Sequence, residues 1–239
     1  MFTKTVAFLC LGVALAASPT LASCPVPASA LKVPSNQTAL VAPTFPPSFV
    51  ALGVGVQNYT CSNTSTYTNV GAVAELFDIS CVVDTAISPY LTSAIEALWS
   101  AIPSNILNTT ELISKLGFLG NPDVLGQHYF VPNPATGSGT SPKFDFTSAR
   151  FNGVADAFVV LARTGDIPSP DDKSVDIDWL YLTALSYAGQ GKLAKSVFRV
   201  ETAGGQPPAS CNGTDSISVK YVAEYWFYNT TLPASVLDN

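Results

Sequence analysis

The stretch that decides the fold is Ser218–Asn229, SVKYVAEYWFYN. Val219, Tyr221, Ala223, Tyr225 and Phe227 fall on one face, and Lys220, Glu224 and Tyr228 on the other, with Val222 and Trp226 between them. A period of two with β-branched and aromatic residues predicts a strand. Phe49 to Cys61 repeats the alternation, with Leu52, Val54 and Val56 on one face and Gly53, Gly55, Gln57 and Tyr59 on the other. Its glycines predict a close backbone approach or a bend. Further strands are predicted over Gly71–Asp78, Phe151–Arg163, Ile177–Tyr187 and Ala194–Thr202, separated by Pro/Gly/Asp-rich turns such as Gly165–Asp176 and Gly204–Ser216.

The middle of the chain is different. After Ser88-Pro89, the residues Leu91, Ala94, Ile95, Leu98 and Ile102 recur at helical spacing until Pro103. Ser as N-cap followed by Pro is an expected helix start. Asn108-Thr-Thr-Glu111 has the form of a capping box, opening a short helix that ends at Gly117. Pro132–Lys143 (PNPATGSGTSPK) is predicted as loop. Many strands without strand–helix alternation indicate a mainly β fold, an antiparallel sandwich or barrel with a short helical insertion at about 86–117. No internal repeat is apparent.

The N-terminus gives an address. Lys4 precedes an apolar run from Val6 to Ala17, followed by small residues. That order is the one of a secretory signal peptide, and the run is shorter than the ~20 residues that span a bilayer. Cleavage after Ala16, Ala17 or Ala22 fits, and Ala22 is preferred, so residues 1–22 are read as signal peptide. Residues 23–47 form an extended arm rich in Pro, Ala, Ser and Thr, and 48–239 a single β-rich domain. Leu21-Ala22-Ser23-Cys24 also fits the pattern before a bacterial lipid-modified cysteine. Against this stand six glycosylation sequons, at Asn36, Asn58, Asn63, Asn108, Asn212 and Asn229, which hold half of the twelve asparagines. Chance would give about three. The expectation is a secreted, extracellular glycoprotein from a eukaryotic, fungal-type route.

Charged residues make up 12% of the chain, about half the ~25% of an average domain, and hydrophobic residues 47%. The net charge is −6 without any cluster of Lys and Arg, which excludes nucleic acid and anionic membranes as natural partners. No later segment is apolar and long enough to insert in a membrane. Without Cys10, four cysteines remain: Cys24, Cys61, Cys81 and Cys211. In an oxidising compartment an even number predicts two disulfides. Three connectivities are open; Cys61–Cys211 with Cys24–Cys81 is preferred, because the first ties an early strand to a late loop.

The strings LGVGVQNYTC (52–61), GAVAELFD (71–78), DWLYLTA (178–184), FRVETAGGQPP (198–208) with Cys211, and YVAEYWFY (221–228) resemble the secreted fungal and bacterial family known as domain of unknown function 3455. The likeness spans roughly 40–230. Gly126-Gln-His128 is similar to a glycine-x-histidine step of bacterial relatives, but the tryptophan and Asp-Gly-Ser that follow it there are missing, with Lys143-Phe-Asp145-Phe-Thr in their place. Family members are often labelled malate dehydrogenase. Gly53-Val-Gly55 lacks the third glycine of a dinucleotide-binding turn and continues as strand, and βαβ alternation is absent, so no nicotinamide or other cofactor is expected.

Candidate sites compete with structural roles. His128 is the sole histidine and would have to serve any His-based catalysis; its bland role is a loop-edge residue bonded to backbone. Asp145, Glu201 and Glu224 lie in or beside strands and could pair as hydrolytic carboxylates, or simply occupy a solvated strand face. No GxSxG marks a nucleophile elbow. No metal site is assigned: His128 with Asp145 or Asp156 would hold an ion only weakly, and Asp171, Asp172, Asp176 and Asp178 lack EF-hand order. Trp179, Tyr181, Trp226 and Tyr228 are candidate sugar-stacking residues, or else core, with Trp226 and Tyr228 the better surface candidates. Arg199 is expected to pair with Glu75 or Asp78, and Gly204-Gly205 to form a pinned turn. The leading functional expectation is a non-catalytic extracellular β-domain that binds a carbohydrate, a small ligand or a cell-wall surface. A secreted hydrolase using Asp/Glu near His128, and a structural or interaction protein of a fungal surface, are the alternatives. Oligomeric state is not readable.

Overall fold

The computed structural model describes residues 24–119 and 123–237; the expected signal peptide and its cleavage site lie outside them. The chain forms a closed antiparallel barrel in which every strand pairs with its sequence neighbours. The strands are β1 (Phe49–Cys61), β2 (Tyr67–Asp78), β3 (Val124–Pro132), β4 (Thr140–Asp145), β5 (Phe158–Ile167), β6 (Trp179–Ala184), β7 (Ser196–Gly204) and β8 (Ser216–Tyr228), and β8 returns to β1 to close the ring. Helices α1 (Ser88–Ala101) and α2 (Thr109–Leu119) form the insertion between β2 and β3, and a short turn, α3 (Ala234–Leu237), follows β8. No helix among the described residues is long and apolar enough to cross a membrane.

Strand alternation divides the side chains between two cores. The register places Gly53 beside Ala223 and Leu76, Gly55 beside Tyr221 and Ala74, and Ala51 beside Tyr225, so these face the barrel interior. Phe144, Phe146, Tyr221, Tyr225 and Phe227 fill that interior with almost no exposure. The glycines make room for them: a Cβ on Gly53 would stand 2.5 Å from the Tyr225 ring, and one on Gly55 would stand 2.1 Å from the Val73 carbonyl oxygen. Small residues opposite large ones are what a closed eight-stranded barrel needs, because its bore is only wide enough for interdigitating side chains.

The second core lies outside the barrel. Val50, Leu52, Val54, Val222, Trp226 and Tyr228 face outward and are nevertheless buried, beneath Val26, Leu31 and Leu40 of the arm and Trp99 of α1. Trp99 Nε1 donates to the Gly55 carbonyl at 2.9 Å. Lys220 lies 4.2 Å over the Trp99 ring and donates to the Trp99 carbonyl at 2.8 Å and to that of Ile102. A cation on the last carbonyls of α1 satisfies groups that the helix leaves open. Disulfide Cys24–Cys81 joins the start of the arm to the segment after β2, and Cys61–Cys211 joins the end of β1 to the β7–β8 loop. Two disulfides fit an oxidising, extracellular setting.

Several boundaries differ from the sequence reading. Residues 124–132 and 140–145 are strands, leaving 133–139 as the loop. The small polar composition of TSPKFD hides an alternation that pairs along β3 from Gln127↔Asp145 to Pro132↔Thr140. The strand expected from Phe151 starts at Phe158; the preceding segment turns back on itself, with Phe151 N–H on the Phe146 carbonyl, and Phe151 packs near Phe49 and Phe146. β2 begins at Tyr67 rather than Gly71, and β6 covers only Trp179–Ala184 of the expected 177–187. The N-cap of α1 is Ile87, without a side-chain cap, rather than Ser88. The capping box of α2 is formed: Glu111 N–H donates to Asn108 Oδ1 at 3.0 Å and Asn108 N–H to Glu111 Oε2 at 3.1 Å, and the helix runs on to Leu119.

Candidate functional site

The barrel's two ends differ in chemistry. At the end where β1 starts, Phe49, Phe146 and Phe151 close the bore. At the end where β1 finishes, the inward phase of the strands turns polar: Gln57 and Tyr59 from β1, His128 from β3 and Arg199 from β7 share it with Tyr225. A cavity of about 480 Å³ opens there, its walls also drawing on Asp178, Phe130, Leu161, Leu180 and Leu182.

Arg199 is the centre of this mouth. Register sets it beside Tyr225 on one side and Leu180 on the other. Its Nε and Nη2 donate to the Asp178 carbonyl at 3.1 and 2.8 Å. The expected partners Glu75 and Asp78 are elsewhere: Glu75 lies on the outer face, accepting from Gln127 Nε2 at 3.3 Å, and Asp78 accepts from Ser80 N–H at 2.9 Å. Among the described residues no carboxylate comes within 4.0 Å of the Arg199 guanidinium. Its charge still reaches its neighbours. Burial pushes the Asp178 carboxyl up and Arg199 pulls it back down; burial raises the Tyr225 hydroxyl, against Arg199 and Tyr221.

The remaining polar groups of the mouth are unevenly satisfied. Tyr59 Oη donates to the Gly205 carbonyl at 2.8 Å, and the hydroxyls of Tyr221 and Tyr225 bond each other at 2.9 Å. Gln57 is 4% exposed; its Oε1 accepts from Asn69 Nδ2 at 2.9 Å, whereas its buried Nε2 has no acceptor within 3.5 Å and only a longer, weak approach to the Tyr221 hydroxyl. A buried donor left without an acceptor costs about 1–3 kcal/mol. Gly204 and Gly205 hold the rim. Both have positive φ, Gly204 N–H donates to Asp176 Oδ1 at 2.6 Å, and a Cβ on Gly205 would stand 2.9 Å from Ile177 and from Tyr221.

His128 is not at a loop edge; it sits in mid-strand, 3% exposed, its ring stacked on Phe144 at 4.4 Å. Nδ1 lies 3.0 Å from the Lys143 carbonyl. A carbonyl only accepts, so Nδ1 carries the proton and Nε2 is bare. Burial, against that hydrogen bond and helped by the Arg199 charge, holds the imidazole down at about 4, so it is neutral at ordinary pH.

The other sequence candidates stand apart from it. Asp145 faces outward, with Lys143 Nζ and Tyr129 Oη each at 2.7 Å. Burial alone would raise it, but the bonds from Lys143, Thr147 and Tyr129 prevail and hold it at about 2. Glu224 is on the outer face of β8, 2% exposed, accepting from Trp226 Nε1 at 2.9 Å on Oε2, with Oε1 unpartnered. Burial, opposed by that bond and reinforced by Glu201, pushes it up to about 7. Glu201, in a β-bulge at φ 45°, is raised by burial and by Asp171. These carboxylates are thus separated from His128 by the barrel wall. Trp179, Trp226 and Tyr228 are 4%, 3% and 0% exposed and belong to the outer core, with Tyr181 half-buried on Phe198. Trp226 and Tyr228 are therefore not on the surface, because the arm covers them.

In the acidic loop, Asp172 accepts from the Ser174 backbone and hydroxyl. Among the described residues no group of three His, Cys, Asp or Glu side chains is placed to hold a metal ion. Of the sequon asparagines, Asn36, Asn63, Asn108, Asn212 and Asn229 are exposed, and Asn58 is half-buried with its Oδ1 accepting from Ser218 Oγ at 2.7 Å.

Gln57 and Tyr59 carry no motif that marks them as site residues, and Asp178 and Tyr225 stand out only as members of an acidic cluster and of an aromatic strand. The signal that marks Gln57 and Tyr59 is their phase: they continue the glycine face of β1. Comparison with curated proteins and with solved structures gives no match. The family described as protein of unknown function DUF3455 matches residues 42–229, a span that takes in all eight strands and the mouth, and the chain belongs to that family.

Proposed function

We propose that the protein is a secreted, non-catalytic binding barrel that holds one small ligand in its polar mouth. The observation that carries this reading is the cavity of about 480 Å³ with Arg199 and the unpartnered Gln57 Nε2 in its wall. Pockets of roughly 300–1,000 Å³ that combine apolar walls with a few fixed polar groups are characteristic of small-molecule sites. Some eight-stranded antiparallel barrels fill the bore with side chains throughout and others leave room for a single small ligand, an analogy at the level of fold alone. Two disulfides and five exposed sequon asparagines support export and glycosylation.

Two expectations lose support in this light. A sugar platform of Trp179, Trp226 and Tyr228 has no exposed ring to offer. A hydrolase using His128 with Asp145, Glu201 or Glu224 lacks a shared cleft, and proton transfer requires hydrogen-bond reach between the groups. Native mass spectrometry of the protein purified from a eukaryotic secretory host, after incubation with a small-metabolite panel, tests the reading. The expected result is a one-to-one complex that T140W abolishes, since Thr140 is an exposed residue of the mouth. Complexes that survive T140W unchanged, or the absence of any T140W-sensitive complex, refute it.

A further inference from the structure

We propose that the ligand of the mouth is a small organic monoacid, its carboxylate held by Arg199 and Gln57; this rests on the binding-barrel reading and gives it a ligand class. The guanidinium has five N–H donors in a planar fork and does not lose its charge. Nε and one N–H of Nη2 hold the Asp178 carbonyl, which fixes the plane of the group. The guanidinium also approaches the Tyr225 hydroxyl, and its Nη1–Nη2 end carries the two roughly parallel N–H directions that a carboxylate accepts bidentately. The Tyr225 hydroxyl lies beside the guanidinium, but no carboxylate does within 4.0 Å. Lys143, Arg163 and Lys192 do each meet a carboxylate, at 2.7, 3.9 and 2.7 Å. A half-buried cation with no carboxylate within 4.0 Å, and only the more distant Asp178 to balance it, is an attractive site for an anion even in a chain of net charge −6.

Gln57 is the second and independent observation. Its Nε2 is a buried donor in the wall of the same cavity, with no acceptor within 3.5 Å and only a longer approach to the Tyr221 hydroxyl, and an oxygen of a bound acid would supply a full one. The charged residues of the wall are Arg163, Arg199 and Asp178, and Arg163 is paired with Asp166. Asp178 limits the ligand's charge: a second carboxylate would stand against it in a confined space. Leu161, Leu180, Leu182, Ile177 and Phe130 offer an apolar wall, so the body attached to the carboxylate is apolar.

The test uses isothermal titration of the mature glycoprotein at pH 7 and low salt with matched acid–amide pairs, benzoate with benzamide and octanoate with octanamide, and with succinate as a dianion. At least one monoacid is expected to bind, its amide at least about tenfold more weakly, because hydrogen bonds to a charged group carry the difference. Succinate is expected to bind more weakly than that monoacid, and R199M and Q57L each to reduce the acid's affinity by about tenfold. Should R199M fail to fold, Q57L and the acid–amide contrast decide the matter. Amides that bind as tightly as their acids overturn the organic-acid inference and leave the binding barrel standing. No binding of any acid overturns the inference too, and the T140W experiment separately decides the barrel reading.

Discussion

Replacing Glu224 by Gln makes the barrel more stable at alkaline pH and leaves it nearly unchanged at acid pH. Glu224 is 2% exposed on the outer face of β8, and only one of its two oxygens has a hydrogen-bond partner. Its carboxyl is pushed from an ordinary 4.5 to about 7 by burial, with Trp226 opposing and Glu201 adding to the rise. A group whose folded pKa lies above its unfolded one holds its proton more tightly in the fold. Between pH 4.5 and 7 the unfolded chain therefore binds fewer protons, and stability falls as pH rises. At 1.36 kcal/mol per pH unit, the full fall over that window is about 3 kcal/mol, complete above pH 7. Gln keeps the acceptor for Trp226 and has no proton to lose.

The wild-type curve alone does not isolate this effect. His128, held at about 4 by burial, works in the opposite sense, favouring the fold as pH rises from 4 towards 6.5. Subtracting the E224Q curve from the wild-type curve removes that contribution, since the two groups stand on opposite sides of the wall. Thermal melts at steps from pH 4 to 8.5 are the assay. For a domain of this size 1 kcal/mol corresponds to roughly 2–4 °C, so E224Q should melt about 6–12 °C above wild type at pH 8 and within about 2 °C at pH 4. A gap between the two proteins that stays constant with pH would show that Glu224 is ionised in the fold, and the reasoning from its burial would fail.

Removing the disulfides pairwise should destabilise unequally: C61S/C211S opens a loop of 150 residues and C24S/C81S one of 57, worth about 5 and 4 kcal/mol in the chain-entropy model. Urea unfolding of each variant measures the losses, and a much larger loss for C24S/C81S would mean that the arm's contacts, not chain entropy, dominate. G55A should cost about 3 kcal/mol or more, since its Cβ meets the Val73 carbonyl and Ala74 Cα, both backbone, at 2.1 and 2.6 Å. G137A, at φ 69° with nothing within 4 Å, should cost only the ~1 kcal/mol of a left-handed residue, and equal losses in the two would contradict the close-approach reading. Y228F removes a buried hydroxyl without a partner, so its melting temperature should hold or rise. A loss above about 1 kcal/mol in Y228F would indicate a bonded hydroxyl.

The mainly β class, β1, β8, both helices and the α2 capping box were legible because each rests on local signals: period two, period 3.6, or an Asn-x-x-Glu spacing. β3 and β4 were not, for different reasons. In β3, Gly126, the buried His128 and the half-buried Gln127 and Tyr129 break the contrast between faces. In β4 only six residues alternate, next to the small polar residues of the loop 133–139, and the strand exists through its pairing with 127–132. Phe151 reads as strand from sequence because aromatic residues favour strands, yet tertiary packing against Phe49 and Phe146 decides its place.

The site was hidden by a more general ambiguity. Along β1, Leu52, Val54 and Val56 form the apolar face, and by the usual rule they would point inward. They point outward, because the arm and α1 cover that side, while the weaker-looking face of Gly53, Gly55, Gln57 and Tyr59 lines the bore. When both sides of a wall are covered, hydrophobicity no longer tells inside from outside; volume does. The bore holds the full rings of Tyr221 and Tyr225 only if the strand beside them contributes no side chain at those levels, and Gly53 and Gly55 meet that condition. Once the glycines fix the inner phase of β1, the same phase extends through Gln57, and across β8 from Tyr225 to Arg199. Both polar residues then fall inside the barrel, and a polar side chain inside a narrow bore calls for a partner that Arg199 finds only in part, and Gln57 Nε2 not within 3.5 Å.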